Sequence, residues 1–270
     1  MNESLPVPVM DDTAHRDLAR AHALLENPGL AAQLANFVGA PIENLINKRL
    51  PASVSTRIDS ISRRALQLSL RSALFTLRDA RRGRAATGRH KLAVALTGGA
   101  GGFFGLPGLA LELPVTTTVM LRSIADIARA EGERLDDPET ALACLEVLAH
   151  GGQSRSDDGT ESGYFAVRAA MAQQVNAAAR HIAAHGITHK GGPALVTLLS
   201  RVAARFSVNV GEKVAAQAVP FVGAVGGATL NTLFISHFQA MARGHFTIRR
   251  LERRYGERAV RQAYDALPAA

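Results

Sequence analysis

The sequence is poor in the residues that build cross-linked or sheet-rich proteins. Only one of its 270 residues is a cysteine, Cys144, which excludes an internal disulfide framework and a cysteine-rich zinc module. Tryptophan is absent, and aromatic residues make up only 5% of the chain. The core must therefore be built from alanine, leucine, valine and isoleucine, which favours packed helices over a β-sandwich.

The beginning of the chain lacks the features of a secretory signal. Residues 1–12 contain three acidic residues and no lysine or arginine, whereas a secretory signal needs a positive start followed by an apolar run. We therefore expect a cytoplasmic location, in a reducing compartment.

Charge is unevenly distributed along the chain. The net charge of +8 combines +10 from residues 48–91, +4 from residues 243–270 and −6 from the remaining residues. The sequence thus has two basic regions and an otherwise acidic remainder. A basic region can bind nucleic acid, anionic lipid or an acidic partner.

Within the first basic region, four arginines recur every seven residues: Arg57, Arg64, Arg71 and Arg78. This spacing predicts a stripe of arginines along one helix, beside an apolar stripe that faces a core. The stripe is either a solvated helix face or a surface for an anionic partner. Nucleic-acid-binding surfaces usually interleave aromatic residues, and Phe75 is the only aromatic residue in this region. We therefore expect an anionic membrane surface or a membrane-protein partner rather than nucleic acid.

Two long stretches are apolar and rich in glycine. Residues 92–121 carry a single charge, and residues 214–242 carry none. The second stretch has 29 residues, enough to cross a bilayer. It contains Asn231 and His237, however, and such groups are costly in lipid unless they face a partner. We therefore expect a buried core helix, with a transmembrane helix as the alternative.

The predicted fold is an all-α, single-domain helical bundle. Two central Gly-rich apolar helical segments would be wrapped by amphipathic helices. Residues 1–50 are expected to form an N-terminal helical extension, and residues 51–266 the main helical domain. No oligomeric state is predicted.

Polar residues inside the apolar stretches and their flanks are the candidates for an internal network. Seven are expected to belong to it: Glu112, Thr116, Arg122, Asp126, Lys213, Gln217 and Asn231. Buried charges must be paired and buried polar groups hydrogen-bonded, so we expect these side chains to fix helix register. Glu112 is expected near Lys213. Asp126 is expected near Arg122 or His237.

The same region offers an alternative catalytic role. Its candidate side chains are two carboxylates and two imidazoles: Glu112, Asp126, His237 and His245. If they converge, they could bind a divalent metal or act as acid and base, which would make the protein a metal-assisted hydrolase. A lining of a lipid or ligand cavity is a third possibility. Outside the hydrolase alternative, no cofactor is predicted.

Three sequence blocks resemble a known family. GLPGLALELPVTTTVMLRSIADIARAEG begins at Gly105, ESGYFAVR ends at Arg168, and KVAAQAVPFVGAVGGATLNTLFISHF begins at Lys213 and is followed by GHF at 244–246. Over roughly residues 50–260, the chain resembles the EcsC family of bacterial proteins. That family is named for a product encoded beside an ABC transporter.

The resemblance implies a helical cytoplasmic protein associated with the membrane, with a transport- or envelope-related role. It implies no established reaction and no set of catalytic residues. Together with the arginine stripe, it leads us to expect a membrane-peripheral accessory or interaction protein at the inner face of the cytoplasmic membrane. The metal-assisted hydrolase is the alternative.

Overall fold

The computed structural model describes residues 9–26, 30–38, 51–76, 105–150, 163–185, 192–217 and 226–268, without the side chains of residues 70–76 and 105–107. Within these ranges the chain forms α1 Asp12–Glu26, α2 Leu30–Val38, α3 Ala52–Thr76, α4 Gly105–Ala130, α5 Pro138–Glu146, α6 Tyr164–His185, α7 Pro193–Gln217, α8 Gly227–Tyr255 and α9 Glu257–Asp265. A 3₁₀ turn, Val147–Ala149, follows α5, and the described ranges contain no strand. The predicted all-α, single-domain bundle is confirmed.

The long helix α8 lies at the centre of the bundle. It packs against α1, α2, α4, α7 and α9, and its buried side chains are spread over most of its circumference. Phe234 and Phe238 of α8 meet Phe206 of α7, with ring centroids 6.0 and 5.6 Å from the Phe206 ring. A helix with buried side chains on most of its circumference must be enclosed by other helices, which explains why the amphipathic elements surround it.

Local sequence sets the turn between α4 and α5. Gly132 has φ +85°, a left-handed conformation that favours glycine after a helix end. The Asp137 carboxylate accepts a hydrogen bond from the backbone N–H of Glu139, and Pro138 occupies the first helical position of α5. A capping aspartate followed by a proline is a common helix start, so the sequence itself predicts where α5 begins.

The pairing of α3 with α4 is fixed by a small polar contact at a proline. Pro114 lies inside α4, where it removes one helical donor. Ser69 of α3 donates its hydroxyl to the Pro114 carbonyl oxygen at 3.1 Å, and Thr118 Oγ1 lies 3.0 Å from Ser69 Oγ. These contacts hold α3 and α4 side by side at this level.

The two Gly-rich apolar stretches are described in part. Residues 105–121 of the first lie in α4, whereas its glycines at 98–102 are outside the described ranges. The second stretch is divided between the end of α7 and α8, with residues 218–225 undescribed. None of the described helices is both long enough and apolar enough to cross a membrane.

A close contact between α1 and α8 depends on Gly244. A Cβ atom at this position would lie 2.5 Å from Leu25 Cγ and 3.1 Å from the Ala21 carbonyl oxygen. We therefore expect Gly244→Ala to lower the free energy of unfolding by about 1–3 kcal/mol, since α1 must move away from α8. Urea unfolding would measure this change. The exposed control Thr229→Ala on α8 should change it by less than about 0.5 kcal/mol, and an equally small effect at Gly244 would contradict the prediction.

The N-terminal segment is packed onto this core. Besides the Gly244 contact, Asp17 of α1 forms an ion pair with Arg250 of α8 at 2.9 Å. Tyr264 of α9 donates to a Glu26 carboxylate oxygen at 2.7 Å. The division of the chain at residue 50 stays a prediction.

Candidate functional site

Three of the four candidate catalytic side chains have different partners, and His237, the fourth, is buried on α8. Glu112 contacts Lys213, Asp126 pairs with Arg129 at 3.1 Å, and His245 contacts Tyr164. Glu112 and Asp126 are fourteen residues apart on α4, which corresponds to about 21 Å of helix. In the part of the chain that is described, no group of three or more His, Cys, Asp or Glu side chains is placed to hold a metal ion.

Glu112 and Lys213 form a buried ion pair between α4 and α7. Lys213 Nζ lies 2.6 Å from Glu112 Oε1, and the two side chains are 0% and 3% exposed. The ammonium also lies 5.3 Å from the ring centre of Phe234. Burial lowers the pKa of Lys213, while the Glu112 carboxylate acts in the opposite direction. Each charge in this pair is tolerated inside the bundle because the other is present.

The other expected network members differ in their environments. Thr116 and Asn231 are buried, Gln217 is half-buried, and Arg122 is exposed on α4. The Thr116 hydroxyl has no hydrogen-bond partner within the described structure. A further hydrogen bond joins α8 to α4, where Gln239 Nε2 donates to Ser123 Oγ at 2.8 Å. The Gln239–Ser123 contact was not among the predicted pairs.

A second buried group, which we call the His150 cluster, comprises Glu146, His150, Tyr164, Arg168 and His245. It joins the end of α5, the start of α6 and the middle of α8. The Tyr164 hydroxyl and His245 Nδ1 are 3.0 Å apart. The His150 ring centre lies 5.0 Å from that of Tyr164 and 5.5 Å from that of His245. Three polar rings are therefore packed against one another inside the protein.

Burial determines the charge of the His150 cluster. It lowers the pKa of His150 to about 3 and that of His245 well below its usual value, so both imidazoles are neutral near pH 7. It raises the pKa of the Glu146 carboxyl to about 7, partly offset by Arg168 and Arg249. Arg168 is itself held by both carboxylate oxygens of Glu252, at 2.7 and 2.8 Å.

Three polar atoms of this cluster lack hydrogen-bond partners in the described structure: Glu146 Oε1, His150 Nε2 and His245 Nε2. A neutral imidazole and a carboxyl group can exchange protons. In this structure, however, Glu146, His150 and His245 are at most 4% exposed and remain within the core. The cluster thus contains two buried histidines whose imidazoles are neutral near pH 7.

Sequence reasoning singled out only one member of the His150 cluster as a candidate, His245. Tyr164 and Arg168 lie in the blocks that carry the family resemblance, but no role was predicted for them. The sequence does contain a signal that Glu146 and His150 are buried. Glu146 and His150 stand four residues apart in an otherwise apolar run, ALACLEVLAH, where burial would bring both side chains inside.

The arginines of the two basic regions differ in whether they form ion pairs within the protein. Five arginines of the second region form ion pairs with carboxylates of the protein: Arg249, Arg250, Arg253, Arg254 and Arg261. Arg57 and Arg64 of α3, by contrast, are exposed and have no ion-pair partner within the described ranges. The Arg71 side chain and Arg78 lie outside the described structure. Ion pairs within the protein thus neutralise much of the positive charge near the C-terminus. Arg57 and Arg64 have no such ion pairs in the described structure, so their charge can attract an anionic partner.

Exposed apolar side chains lie close to this arginine stripe. Leu68, Leu111 and Val115, which we call the apolar patch, are 46%, 80% and 49% exposed. Leu68 precedes Ser69, whose hydroxyl contacts the Pro114 carbonyl oxygen, and Leu111 and Val115 lie on the turns of α4 around Pro114. The apolar patch therefore lies where α3 and α4 meet, at one end of the row formed by Arg57 and Arg64.

Comparison with known proteins agrees with the family resemblance. The model of the EcsC protein family matches residues 15–251, so the match begins upstream of residue 50, where the resemblance was expected to start. No significant match is found among curated proteins or among solved structures. Because the family match spans most of the 270 residues, from α1 to the last turns of α8, the chain belongs to the EcsC protein family.

Proposed function

We propose that this protein is a peripheral accessory protein of the inner face of the cytoplasmic membrane, which docks on anionic lipid through α3. One observation carries the proposal: Arg57 and Arg64 are exposed, lack ion-pair partners in the described structure, and form a row that ends in the apolar patch. Basic and apolar groups on one face are the two features that retain a protein at an anionic membrane surface. A transport- or envelope-related process is a setting in which such an accessory protein would act.

The acidic residues near α3 do not neutralise this row. Asp59 lies one turn before Arg63 on α3. Arg63 donates a hydrogen bond to Ser200 of α7 at 2.8 Å, so both residues lie on the side of α3 that faces α7. Glu112 of α4 is buried with Lys213. Among the described residues, the α4 edge of α3 therefore presents positive charge. Each basic residue near an anionic surface contributes about 1 kcal/mol to binding.

Flotation with liposomes tests the proposal. The purified protein is mixed with neutral vesicles or with vesicles containing phosphatidylserine, at low and at high salt. We expect flotation with the anionic vesicles that is reduced by salt, because exposed charges are screened. The double variant Arg57→Gln/Arg64→Gln should weaken partitioning by about 2 kcal/mol, or roughly thirtyfold.

A matched control removes the same charge elsewhere. Arg180 on α6 and Arg258 on α9 are also exposed, so Arg180→Gln/Arg258→Gln has the same net charge as the α3 variant. It should float almost as well as the unmodified protein. Equal losses in the two double variants would show that net charge and not α3 drives binding. A protein that floats with no vesicle at either salt concentration would overturn the proposal.

A further inference from the structure

We propose that Leu111 and Val115 of α4 enter the boundary between lipid headgroups and acyl chains, so that the first half of α4 is the membrane-inserting element. This inference rests on the proposed function and specifies which part of the protein enters the lipid. It also states what each helix mainly contributes: α3 provides Arg57 and Arg64, and α4 provides Leu111 and Val115.

Exposure points to these two residues. Only six large apolar side chains are exposed in the described ranges, and three of them form the apolar patch. Leu111 is 80% exposed, whereas the other leucines of α4 whose side chains are described, Leu109, Leu113 and Leu121, are at most 2% exposed. Leu111 and Val115 are four residues apart, so their side chains project from the same face of α4. This face is not used to build the core.

Charge complementarity identifies lipid as the occupant. Arg64 lies one turn before Leu68 on α3, and Arg122 lies two turns beyond Val115 on the same face of α4. Both arginines are exposed, and neither forms an ion pair within the described structure. Apolar side chains bordered by arginines on two helices match a surface of anionic headgroups above acyl chains. A protein partner at this face would need carboxylates around an apolar contact, and it is tested as the alternative below.

The absence of tryptophan provides a direct test. Because the natural chain contains none, Leu111→Trp or Val115→Trp introduces a single indole as the reporter. Both positions are exposed, so the larger side chain has room in the folded protein. We expect the emission of either indole to shift to shorter wavelength on adding phosphatidylserine vesicles, and to be quenched by lipids with brominated acyl chains. Ala172→Trp, on the exposed face of α6, is the control and should show neither effect.

The outcomes separate this inference from the proposed function. If the tryptophan variants float in a salt-dependent way but their indoles are not quenched by brominated chains, the protein binds lipid without inserting α4, and the inference is overturned. Equal quenching at positions 111 and 172 would also overturn it, because insertion would not be specific to α4. If the unmodified protein does not float at all, both proposals fail, and a protein partner becomes the occupant to test.

A second measurement does not depend on tryptophan. The double variant Leu111→Ser/Val115→Ser should reduce partitioning to the same vesicles by about tenfold or more, since two partly exposed apolar side chains no longer leave water. The loss should persist at high salt, whereas the loss from the α3 arginine variant should shrink. Because both positions are exposed, circular dichroism and the urea midpoint should be unchanged. An unchanged partition coefficient would contradict insertion.

Discussion

Replacing Lys213 with methionine is expected to lower the free energy of unfolding by about 3–5 kcal/mol. The substitution keeps a long side chain but leaves the Glu112 carboxylate buried without its partner. Glu112→Gln should have a similar cost, since it leaves the Lys213 ammonium in the same position. Urea unfolding followed by circular dichroism measures both changes.

The double variant Glu112→Leu/Lys213→Met should recover most of this loss. Replacing both charges of a buried ion pair by apolar groups is often neutral, because the cost of desolvating two charges disappears together with their attraction. We expect a stability within about 1 kcal/mol of the natural protein. With Glu112→Leu as the matching single variant, the coupling energy between the two positions should exceed about 2 kcal/mol.

The Glu112→Gln variant should respond to pH through Lys213. Burial lowers the pKa of Lys213, and Glu112→Gln removes the carboxylate that opposes this shift. The deficit of Glu112→Gln should therefore shrink as pH rises and the lysine loses its charge.

An exposed ion pair provides the control. Arg261 and Asp265 on α9 are 2.7 Å apart, but their side chains are about half exposed, at 49% and 54%. Asp265→Asn should change stability little, since exposed pairs gain little from their contact. If Lys213→Met were as mild as this control, the buried pair would not be holding α4 to α7.

The buried histidines are expected to make the protein lose stability in mild acid. Burial lowers the pKa of His150 to about 3, that of His237 to about 4 and that of His245 well below its ordinary value. In the unfolded chain these imidazoles take up protons near pH 6.5. Below that pH the unfolded state binds more protons than the folded state, so the free energy of unfolding falls.

Two carboxyl groups act in the opposite direction over part of this range. Burial raises the pKa of Glu146 and that of Glu212 to about 7, above their ordinary value of 4.5. Between about pH 7 and pH 4.5, the folded state binds more protons at these two carboxyl groups than the unfolded state does. The two groups therefore add stability as pH falls from about 7 to 4.5. Each group changes stability by about 1.4 kcal/mol per pH unit, so three histidines outweigh two carboxyls below about pH 6.5.

His237→Leu isolates one of these contributions. Neither ring nitrogen of His237 has a hydrogen-bond partner in the described structure, so the substitution breaks no hydrogen bond there. Between pH 7.5 and 5.0, the variant should lose about 2 kcal/mol less stability than the natural protein. Urea unfolding at the two pH values measures this difference.

The exposed His15 on α1 provides the comparison for this test. His15→Gln should leave the loss of stability between pH 7.5 and 5.0 almost as it is in the natural protein. If His237→Leu lost as much stability in acid as the natural protein, His237 would have to be protonated in the folded state. The proposed cause of the acid sensitivity would then be wrong for this residue.

Parts of the polar interior could be predicted because they follow from single residues. Glu112 and Lys213 are charged residues associated with apolar stretches, and a buried charge needs a partner of opposite sign. The structure places them 2.6 Å apart. For Asp126, the spacing along α4 indicates Arg122 as a partner and His237 is the alternative from α8, whereas the structure pairs Asp126 with Arg129, three residues away. Spacing alone identifies several possible neighbours on a helix but does not choose between side-chain rotamers.

The His150 cluster could not be assembled from the sequence in the same way. Its residues come from α5, α6 and α8, and His150 and His245 are 95 positions apart in the chain. The apolar run around Glu146 and His150 indicates that both side chains are buried, but it does not indicate which side chains they contact. Only the packing of three helices brings the rings within 6 Å of one another and gives the histidines their low pKa values.

The sequence by itself determined the fold class, the family and the start of α5. Few aromatic residues, many alanines and leucines, and helical spacing leave packed helices as the way to bury this chain, and local caps such as Asp137–Pro138 act within a single turn. The sequence also placed the arginines of α3 in one row. The tertiary structure decided which charged side chains form ion pairs within the protein and which remain exposed. Arg250 and Arg57 are the same residue type, yet Arg250 meets Asp17 from a distant part of the chain whereas Arg57 remains exposed, because ion pairing depends on which helices become neighbours.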